Sequence, residues 1–481
     1  MIYPKPKNMK LNGDEWCFTK TMTLCVSEKY TDEKQLKLFV ELYKNFTGGV
    51  GKLRIRRLHS NVLGAVFSAD GYEPKESKDL HEEYAIAIET GKAELFFSDK
   101  ISFSHAFCTL LKLIEVRSTK SGRENFTLPI GQIEDSPALS FRGLHLCVFP
   151  ETSFIRMRKF VRLAGFLGYS HIVLEFWGMF PYKSEKALGR KNAYKLRQIR
   201  ALASDAEALG TEIIPMLNIF GHASQDRMRY GKHVALEQNP RLAPYFETCG
   251  WNWNLVNPET EILQKKLIDE LLDICGKGKY FCIGCDEAYA YAVDRQYSGK
   301  DEIQILIDHI NLIVDYLKSK NRSSIMWADM LLCRDRFPGS VADGLDSKVC
   351  EKLLDGLKKE IILADWQYWT KDEALPTSRY LSERGFRIIT VPWDDSETAM
   401  ICLRNVEKCN YFGYMQSTWH TISQNFFQIP VGAVYAWEGS EKASQMPLND
   451  CVLAFTARYL RCMKRVRRYE DEGIRLQETD A

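Results

Sequence analysis

The chain has 481 residues, which is more than a single small core can organise, so we expect one large domain with a smaller one, or two to three domains. Its 65 basic and 63 acidic residues nearly cancel. This balance excludes the strong field that would gather nucleic acid or anionic lipid, and it favours a neutral substrate.

Residues 1–135 are predicted to form a separate α+β domain. Its expected helix, Ser102 to Leu113, has apolar residues at helical spacing. The segment Ser121 to Pro137 contains Gly, Pro, Ser and Asp and is interpreted as a linker at the domain boundary. The candidate strands are short apolar runs: Phe18 to Val26, Leu53 to Arg57, Tyr84 to Ile88 and Ala93 to Phe97.

Residues 136–445 alternate short apolar strands with longer amphipathic stretches. Eight such units indicate a (β/α)8 barrel, with an active site at the carboxyl ends of its strands. A carboxy-terminal helical segment, 446–481, is expected to pack on this barrel. The predicted strands are Gly143 to Val148, His171 to Phe176, Glu212 to Leu217, Tyr280 to Cys285, Ser324 to Trp327, Ile361 to Trp366, Phe386 to Val391 and Tyr411 to Ser417.

The fourth predicted strand ends in a glycine and two adjacent acids, Asp286 and Glu287. Neighbouring strand residues point to opposite faces, so both carboxylates can enter one pocket only where the chain turns out of the strand, and Gly284 eases that turn. The alternative is that Asp286 caps a following helix, with Glu287 in its first turn. The strand-end position in a barrel favours the catalytic interpretation.

Polar and aromatic residues recur where the predicted strands begin or end. A single Trp near a strand end is more often packing, but as a set these residues suit an uncharged sugar ring, whose faces stack on aromatic side chains. The candidate substrate-binding residues are Arg142, Glu175, His222, Trp327, Asp329, Trp366, Tyr368, Trp393 and Trp419.

The adjacency of the acids restricts the chemistry. They cannot span the ~5 Å or more between the acid and the nucleophile of an ordinary retaining glycosidase. A substrate-assisted route fits instead, in which the 2-acetamido oxygen of the sugar attacks its own anomeric carbon. One carboxylate then orients the acetamido group and its neighbour protonates the leaving oxygen.

Several motifs resemble glycoside hydrolase family 20, the β-N-acetylhexosaminidases, and within it the hexosaminidase D branch. They are Phe141-Arg142-Gly143-Leu144-His145-Leu146, Val173-Leu174-Glu175-Phe176, Met179-Phe180-Pro181-Tyr182, Ile213-Ile214-Pro215 with Phe220-Gly221-His222, Asn257-Pro258-Glu259-Thr260, and Ile283-Gly284-Cys285-Asp286-Glu287. The resemblance covers most of the chain.

The resemblance implies an exo-acting retaining β-N-acetylhexosaminidase that hydrolyses terminal β-linked GlcNAc or GalNAc, with no cofactor or metal. Asp286 would orient the acetamido group, Glu287 would be the general acid/base, and Arg142 would bind sugar hydroxyls. Trp327, Trp366 and Trp419 would surround the sugar.

Two departures from the family pattern stand out. Trp177-Gly178 occupies the place of two acids in the related enzymes. The usual tyrosine that binds the acetamido oxygen is replaced by Trp393, and Tyr368 is a possible substitute. The sequence therefore leaves open whether the substrate pocket or the pH optimum differs from those of the related enzymes.

Two other function classes stay open. A metal-dependent hydrolase would use His145, His171, His222 and Asp286, although strand one lacks the usual His-x-His pair. A non-catalytic or altered-specificity carbohydrate-binding relative, for example one specific for 6-substituted GlcNAc, is motivated by Trp177-Gly178.

The fourteen cysteines show no regular spacing, and they are interpreted as buried hydrophobic residues in a reducing compartment. The amino terminus lacks the apolar region of a signal peptide, and no apolar stretch is long enough to span a membrane. The chain is therefore predicted to be cytoplasmic, with no membrane or nucleic-acid partner. Whether it forms a homodimer stays open.

Overall fold

A computed structural model describes most of the chain as two sheets surrounded by helices. The described residues are 2–78, 80–81, 83–118, 124–223, 235–289, 291–344, 346–419, 426–445, 452, 456, 458–460 and 463.

The amino-terminal part is an eight-stranded sheet with two helices. Its order is β1-β8-β5-β6-β4-β2-β3, with β7 on β8, and β2 and β3 are its parallel pair. Helices α1 and α2 pack together through Phe39 and Phe107, whose rings stack at 4.1 Å. The elements are β1 (Asn8–Phe18), β2 (Thr21–Ser27), α1 (Glu33–Phe46), β3 (Lys52–Leu58), β4 (Gly64–Ser68), β5 (Tyr84–Glu89), β6 (Lys92–Phe97), α2 (Lys100–Leu113), β7 (Glu115–Ser118) and β8 (Glu124–Asp135).

The structure corrects two predictions in this part. The run from Phe18 to Val26 is the end of β1 and most of β2, separated by a short turn. The predicted linker is wrong, because most of it is β8, a long strand that pairs with β1, β5 and β7. Phe126, Leu128 and Ile133 of this strand are buried, so burial outweighs the local turn signals of its Pro and Gly.

The eight predicted barrel strands are confirmed, and they close into a parallel barrel in chain order. They are β9 (Arg142–Val148), β10 (His171–Phe176), β11 (Glu212–Met216), β12 (Tyr280–Cys282), β13 (Ser323–Trp327), β14 (Ile362–Gln367), β15 (Arg387–Pro392) and β16 (Gly413–Gln416). The surrounding helices are α3 (Phe154–Leu167), α4 (Leu196–Ala208), α5 (Ala235–Gln238), α6 (Pro258–Cys275), α7 (Glu302–Ser319), α8 (Ser347–Gly356), α9 (Pro376–Glu383), α10 (Ser396–Cys409), α11 (Gln428–Glu438) and α12 (Ser440–Ala443).

Alternate residues of each strand fill the barrel interior, and the pattern is clearest on β14. Ile362, Ala364 and Trp366 all belong to the interior cluster. Because side chains on a strand alternate, these three lie in successive layers from the amino end to the carboxyl end. The small apolar interior therefore gives way to large aromatic rings at the carboxyl end of the barrel.

The predicted domain limits, 1–135, 136–445 and 446–481, stay a prediction. The last segment falls almost wholly outside the described residues, although those of its residues that are described are helical. Among the described residues, no helix combines the length and apolar character needed to cross a membrane.

Candidate active site

The two adjacent acids follow β12 on an irregular turn. Gly284, Cys285 and Glu287 all have positive φ, at 66°, 73° and 44°. A Cβ on Gly284 would lie 1.6 Å from Oδ1 of Asn218, so this position accepts only glycine. The turn brings neighbouring side chains to the same side of the chain.

The alternative that Asp286 caps a helix is wrong. Among the described residues, the next helical turn begins at Arg295 and the next α-helix, α7, begins at Glu302. The cap of α7 is Asp301, whose side chain accepts from the Gln304 amide. Glu287 is moreover outside the right-handed helical region, because its φ is positive.

His222 lies between the two carboxylates. Its Nε2 is 3.3 Å from Oδ2 of Asp286 and 3.2 Å from Oε2 of Glu287. The Asp286 side chain is 2% exposed, whereas that of Glu287 is 36% exposed. Asp286 is therefore the inner acid and Glu287 the outer one, which can meet a group at the mouth of the site.

Neighbouring loops hold the outer acid in place. The indole Nε1 of Trp251 donates to the Glu287 carbonyl at 2.5 Å, and the Glu287 amide donates to Oδ2 of Asp329 at 2.9 Å. Burial, and then the charge of Asp286, raise the pKa of Asp329 well above its usual range. Trp251 also packs on His222 with ring centroids 4.6 Å apart. Backbone and side-chain contacts thus fix the acid pair from two sides.

A cavity of about 380 Å³ opens above the acids, within the range of small-molecule sites. We call Trp366, Tyr368, Trp393 and Trp419 the aromatic wall, because all four line this cavity. Trp366 contacts Tyr368 and Trp419 with centroids 5.7 and 5.2 Å apart. Trp327 is fully buried behind the wall, against Trp366 at 5.3 Å. The other lining residues are Phe149, Trp177, His222, Asp286, Glu287, Arg334, Ser340, Val341, Ala342, Asp343 and Trp369.

Trp177 occupies the place where the sequence departs from its relatives. Its ring lines the cavity, 4.7 Å from the ring of Phe149 and 6.3 Å from that of His222. An indole in this position gives the cavity an apolar side next to the histidine.

Arg142 is not brought to the cavity. It begins β9, at the opposite end of the barrel from the acids, and its guanidinium donates to the carbonyls of Gly168 at 2.7 Å and Leu139 at 2.6 Å. Its guanidinium also lies 5.1 Å from the centroid of Trp437. These contacts are those of a structural arginine at the amino end of the barrel.

Glu175 lies below the cavity in a buried polar network. Its Oε2 is 3.0 Å from Nε2 of His145, and its Oε1 accepts from Nδ2 of Asn218 at 3.2 Å. Cys147 Sγ is 3.6 Å from the same Oε2, a spacing that could also hold a metal ion. Because these groups are fully buried and already bonded to one another, we interpret the set as the hydrogen-bonded floor of the site.

The structure does not bring together the four residues of the alternative metal site, which are His145, His171, His222 and Asp286. His171 begins β10 at the amino end of the barrel, where it stacks on Phe141 at 4.4 Å. Burial, and then the charge of Arg142, lower the pKa of His171 to about 3. The predicted metal site is therefore split between the two ends of the barrel.

Sequence reasoning missed several lining residues. Phe149 directly follows β9, so its strand-end position was available as a signal. Arg334 and Asp343 lie in the long loop between β13 and α8. Trp251, which contacts Glu287 and His222 but does not line the cavity, lies between β11 and α6. Residues in such loops carry no periodic pattern that would predict their contacts.

Comparisons with known proteins agree with this fold. The family model "Glycosyl hydrolase family 20, catalytic domain" matches residues 174–445. The chain belongs to this family. A curated relative, hexosaminidase D of Bos taurus, is 27% identical over 186 residues, which are 36% of this chain and 51% of the bovine protein. Hexosaminidase D of Homo sapiens is 26% identical over 175 residues, 34% of each chain.

The matched part of the chain thus spans about half the length of the bovine relative and about a third of the length of the human one. Solved structures show the shared fold. An exo β-N-acetylglucosaminidase from Vibrio harveyi, in complex with N-acetylglucosamine, superposes with a TM-score of 0.68 at 15% identity, covering 96% of this chain and 76% of that one. A β-N-acetylhexosaminidase from Bacteroides fragilis gives a TM-score of 0.63 at 15% identity, with 91% and 90% covered.

Proposed function

We propose that this family 20 protein is an exo-acting retaining β-N-acetylhexosaminidase that releases terminal β-linked GlcNAc or GalNAc. One observation carries the proposal: Asp286 and Glu287 both contact the same nitrogen of His222 at the base of the aromatic cavity. Two acids so close together suit acetamido-assisted hydrolysis, in which the sugar supplies the nucleophile.

The exposure of the two acids supports their separate roles. The buried Asp286 would accept the N–H of the acetamido group and stabilise the positive charge that develops on the ring it forms. The more exposed Glu287 would protonate the departing glycosidic oxygen. In the second step Glu287 would take a proton from water, which attacks the anomeric carbon and restores the acetamido group.

Tyr368 is our candidate for the donor to the acetamido oxygen. It lines the cavity beside Trp393, with ring centroids 5.5 Å apart. Burial raises the pKa of its phenol well above the usual range, so the hydroxyl stays protonated. A neutral O–H donor would suit an oxygen that attacks and becomes part of a cationic ring.

The proposal is tested with Glu287→Gln and Asp286→Asn on an aryl β-GlcNAc glycoside. Loss of general acid/base catalysis should lower kcat by about 10²-fold or more in the first variant. The second should lower kcat and weaken inhibition by a thiazoline analogue of the intermediate. Glu360→Gln, a distant surface glutamate, should behave as the wild type. Retained activity in Glu287→Gln would overturn the assignment.

Trp177 supports a second candidate, a binding protein or an enzyme of altered specificity. Its indole gives an apolar contact at the place of two acids in the relatives, next to His222. Calorimetric binding of GlcNAc, GalNAc or 6-sulfo-GlcNAc without hydrolysis of any aryl glycoside would favour the binding protein. Hydrolysis of the 6-sulfo glycoside alone would favour altered specificity.

We also propose a cytoplasmic location. The described cysteines include several that are fully buried in apolar surroundings, such as Cys402 in α10 and Cys108 in α2. Burial raises the pKa of the Cys108 thiol to about 12, so it packs as a neutral group. Such thiols suit a reducing compartment.

A further inference from the structure

A thiol, an imidazole and a carboxylate lie together beneath the cavity, and the proposed hydrolysis uses none of them. His145 and Cys147 are two residues apart on β9, so their side chains lie on the same face of that strand. Glu175 is the register partner of Cys147 on the adjacent strand β10. Val173, the register partner of His145, belongs to the interior cluster of the barrel. All three polar side chains therefore point into the barrel interior.

The three groups have the spacing of ligands around one tetrahedral cation. Nε2 of His145 is 3.0 Å from Oε2 of Glu175, and Sγ of Cys147 is 3.9 Å from that nitrogen and 3.6 Å from that oxygen. Zinc bonds of about 2.0 to 2.3 Å at a tetrahedral angle place such atoms about 3.4 to 3.6 Å apart. Each pair is therefore within a few tenths of an ångström of the separation that zinc requires.

A divalent cation would balance the charges of these groups. All three side chains are buried, and a buried charge is costly unless it is paired. The thiolate of Cys147 and the carboxylate of Glu175 together carry two negative charges, whereas the imidazole of His145 is neutral, so one divalent cation leaves the site uncharged. Sulfur and imidazole nitrogen favour zinc and cobalt over magnesium and calcium, which prefer oxygen ligands.

The contacts around the three groups also suit coordination. The second carboxylate oxygen of Glu175 accepts from Nδ2 of Asn218 at 3.2 Å, a contact that would orient the carboxylate as a ligand. Nδ1 of His145 is buried and has no hydrogen-bond partner among the described residues, so no contact on that side fixes the tautomer of the ring. On coordination the thiol proton is released to solvent, and the proton between His145 and Glu175 moves to Nδ1 or to solvent. Without a cation, the same groups form the hydrogen-bonded floor described above.

We propose that His145, Cys147 and Glu175 bind a divalent cation of the zinc class, which links β9 to β10 beneath the cavity. Phe149 and Trp177 are the next residues on the same faces of the two strands, and both line the cavity, so one layer of rings covers the site. This site shares only His145 with the metal-dependent hydrolase considered from the sequence. The cation has no part in the proposed hydrolysis, and the two proposals stand or fall separately.

The metal content of the full chain, purified from cultures supplied with zinc or with cobalt, tests the site. Loading during synthesis is needed because a buried site captures its cation as the chain folds. We expect one cation per chain in the wild type, and the cobalt form should show the charge-transfer absorption of a thiolate bound to cobalt. Cys147→Ala should lose both the cation and this absorption. Glu175→Gln should bind cobalt at least about tenfold more weakly in competition with a chelator.

Cys402→Ala is the matched control, since it removes an equally buried thiol from α10, and it should keep the cation and the absorption of the wild type. Circular dichroism would verify that the variants fold. If Cys147→Ala does not fold, Cys147→Ser takes its place, because a serine hydroxyl is not among the usual zinc ligands. A wild type that carries no more metal than the Cys147 variant would overturn the site, as would thiolate absorption that persists in that variant.

Discussion

At the scale of single residues, the acid pair depends on two glycines that approach it closely. A Cβ on Gly221 would lie 2.3 Å from the Asp286 carbonyl, and one on Gly284 would overlap Asn218. Asn218 also belongs to the buried network described above, because its Nδ2 donates to Glu175. The turn that joins the carboxylates is therefore packed against strand-end residues and has little freedom to move.

Gly284→Ala should be strongly destabilising and should lower kcat. The positive φ alone costs about 1 kcal/mol for a residue with a Cβ, and the overlap with Asn218 adds to it. Gly91→Ala isolates the first cost, because Gly91 also has positive φ, at 97°, but has nothing within 4 Å of the added atom. Urea denaturation would measure both. Equal losses in the two variants would show that Asn218 moves aside at no cost and that the overlap does not constrain the turn.

Asp329 illustrates how burial changes the character of a residue near the acids. Its raised pKa means that it binds a proton in the folded protein at a pH where an ordinary aspartate does not. Oδ1 of Asp329 has no hydrogen-bond partner among the described residues, which suits a neutral carboxyl better than a charged one.

Asp329→Asn should therefore be mild. The amide oxygen can still accept from the Glu287 amide, so kcat should stay within about threefold and stability within about 2 kcal/mol near pH 6. The stabilisation that a carboxyl with a raised pKa contributes falls as pH rises from the ordinary aspartate pKa through the raised one, so the variant should gain stability relative to the wild type over that range. A pH series of melting curves tests this. A 10²-fold fall in kcat would contradict it and indicate a charged Asp329.

At the scale of elements, the barrel was predictable because each buried parallel strand is a short apolar run in the sequence. All eight strands lie within two or three residues of their expected positions, with the fourth much shorter, at Tyr280–Cys282. Strand β8 was not predictable by the same signals, because Pro129 and Gly131 mark it as a linker although its Phe126, Leu128 and Ile133 are buried. The burial of apolar side chains in the folded protein therefore outweighs the local turn propensity of proline and glycine here.

The candidate site was predictable where its residues end strands. Asp286, Trp366 and Trp419 follow or finish strands, and the structure brings them to one cavity. Arg142 begins its strand, so the parallel order of the barrel places it at the amino end, away from the acids. The sequence already indicated this position, but the family resemblance led to the prediction that Arg142 binds the sugar. Arg334 approaches the cavity from a loop, which no strand pattern locates.

The tryptophan that follows β10 allows a test at the element scale. Trp177→Ala should destabilise the protein by about 3 kcal/mol, because it removes a buried indole packed on Phe149. It should also lower kcat/KM at least tenfold by letting water reach His222. Trp16→Ala removes a similarly buried indole from β1 and should cost stability without changing kcat/KM. Equal kinetics in the two variants would show that Trp177 only fills space.

At the scale of the whole molecule, a buried polar cluster joins the first sheet to the barrel. Asp135, the last residue of β8, accepts from the Tyr84 hydroxyl at 2.9 Å and from Nε1 of Trp437 in α11 at 3.0 Å. The next residue of α11, Glu438, accepts from the Lys5 amide at 2.6 Å. Two acids thus lie in the interface, and burial raises the pKa of each. Folding of the two parts should be coupled through this cluster.

Glu438 makes the stability of that interface depend on pH. Burial, and secondarily the charge of Asp135, raise its pKa from an ordinary value of 4.5 to about 7. The folded protein therefore binds a proton that the unfolded chain has released between these values, and the contribution to stability falls as pH rises from 4.5 to 7. The full loss is at most about 3 kcal/mol.

Glu438→Gln should remove this dependence, because the amide oxygen still accepts from Lys5 but cannot ionise. Relative to wild type, the variant should gain up to about 3 kcal/mol in the free energy of unfolding between pH 4.5 and 8. Glu441→Gln, an exposed glutamate in α12, is the matched control and should follow the wild-type curve. Parallel curves for wild type and Glu438→Gln would mean that Glu438 does not bind an extra proton in the folded protein over this pH range, which would contradict the prediction.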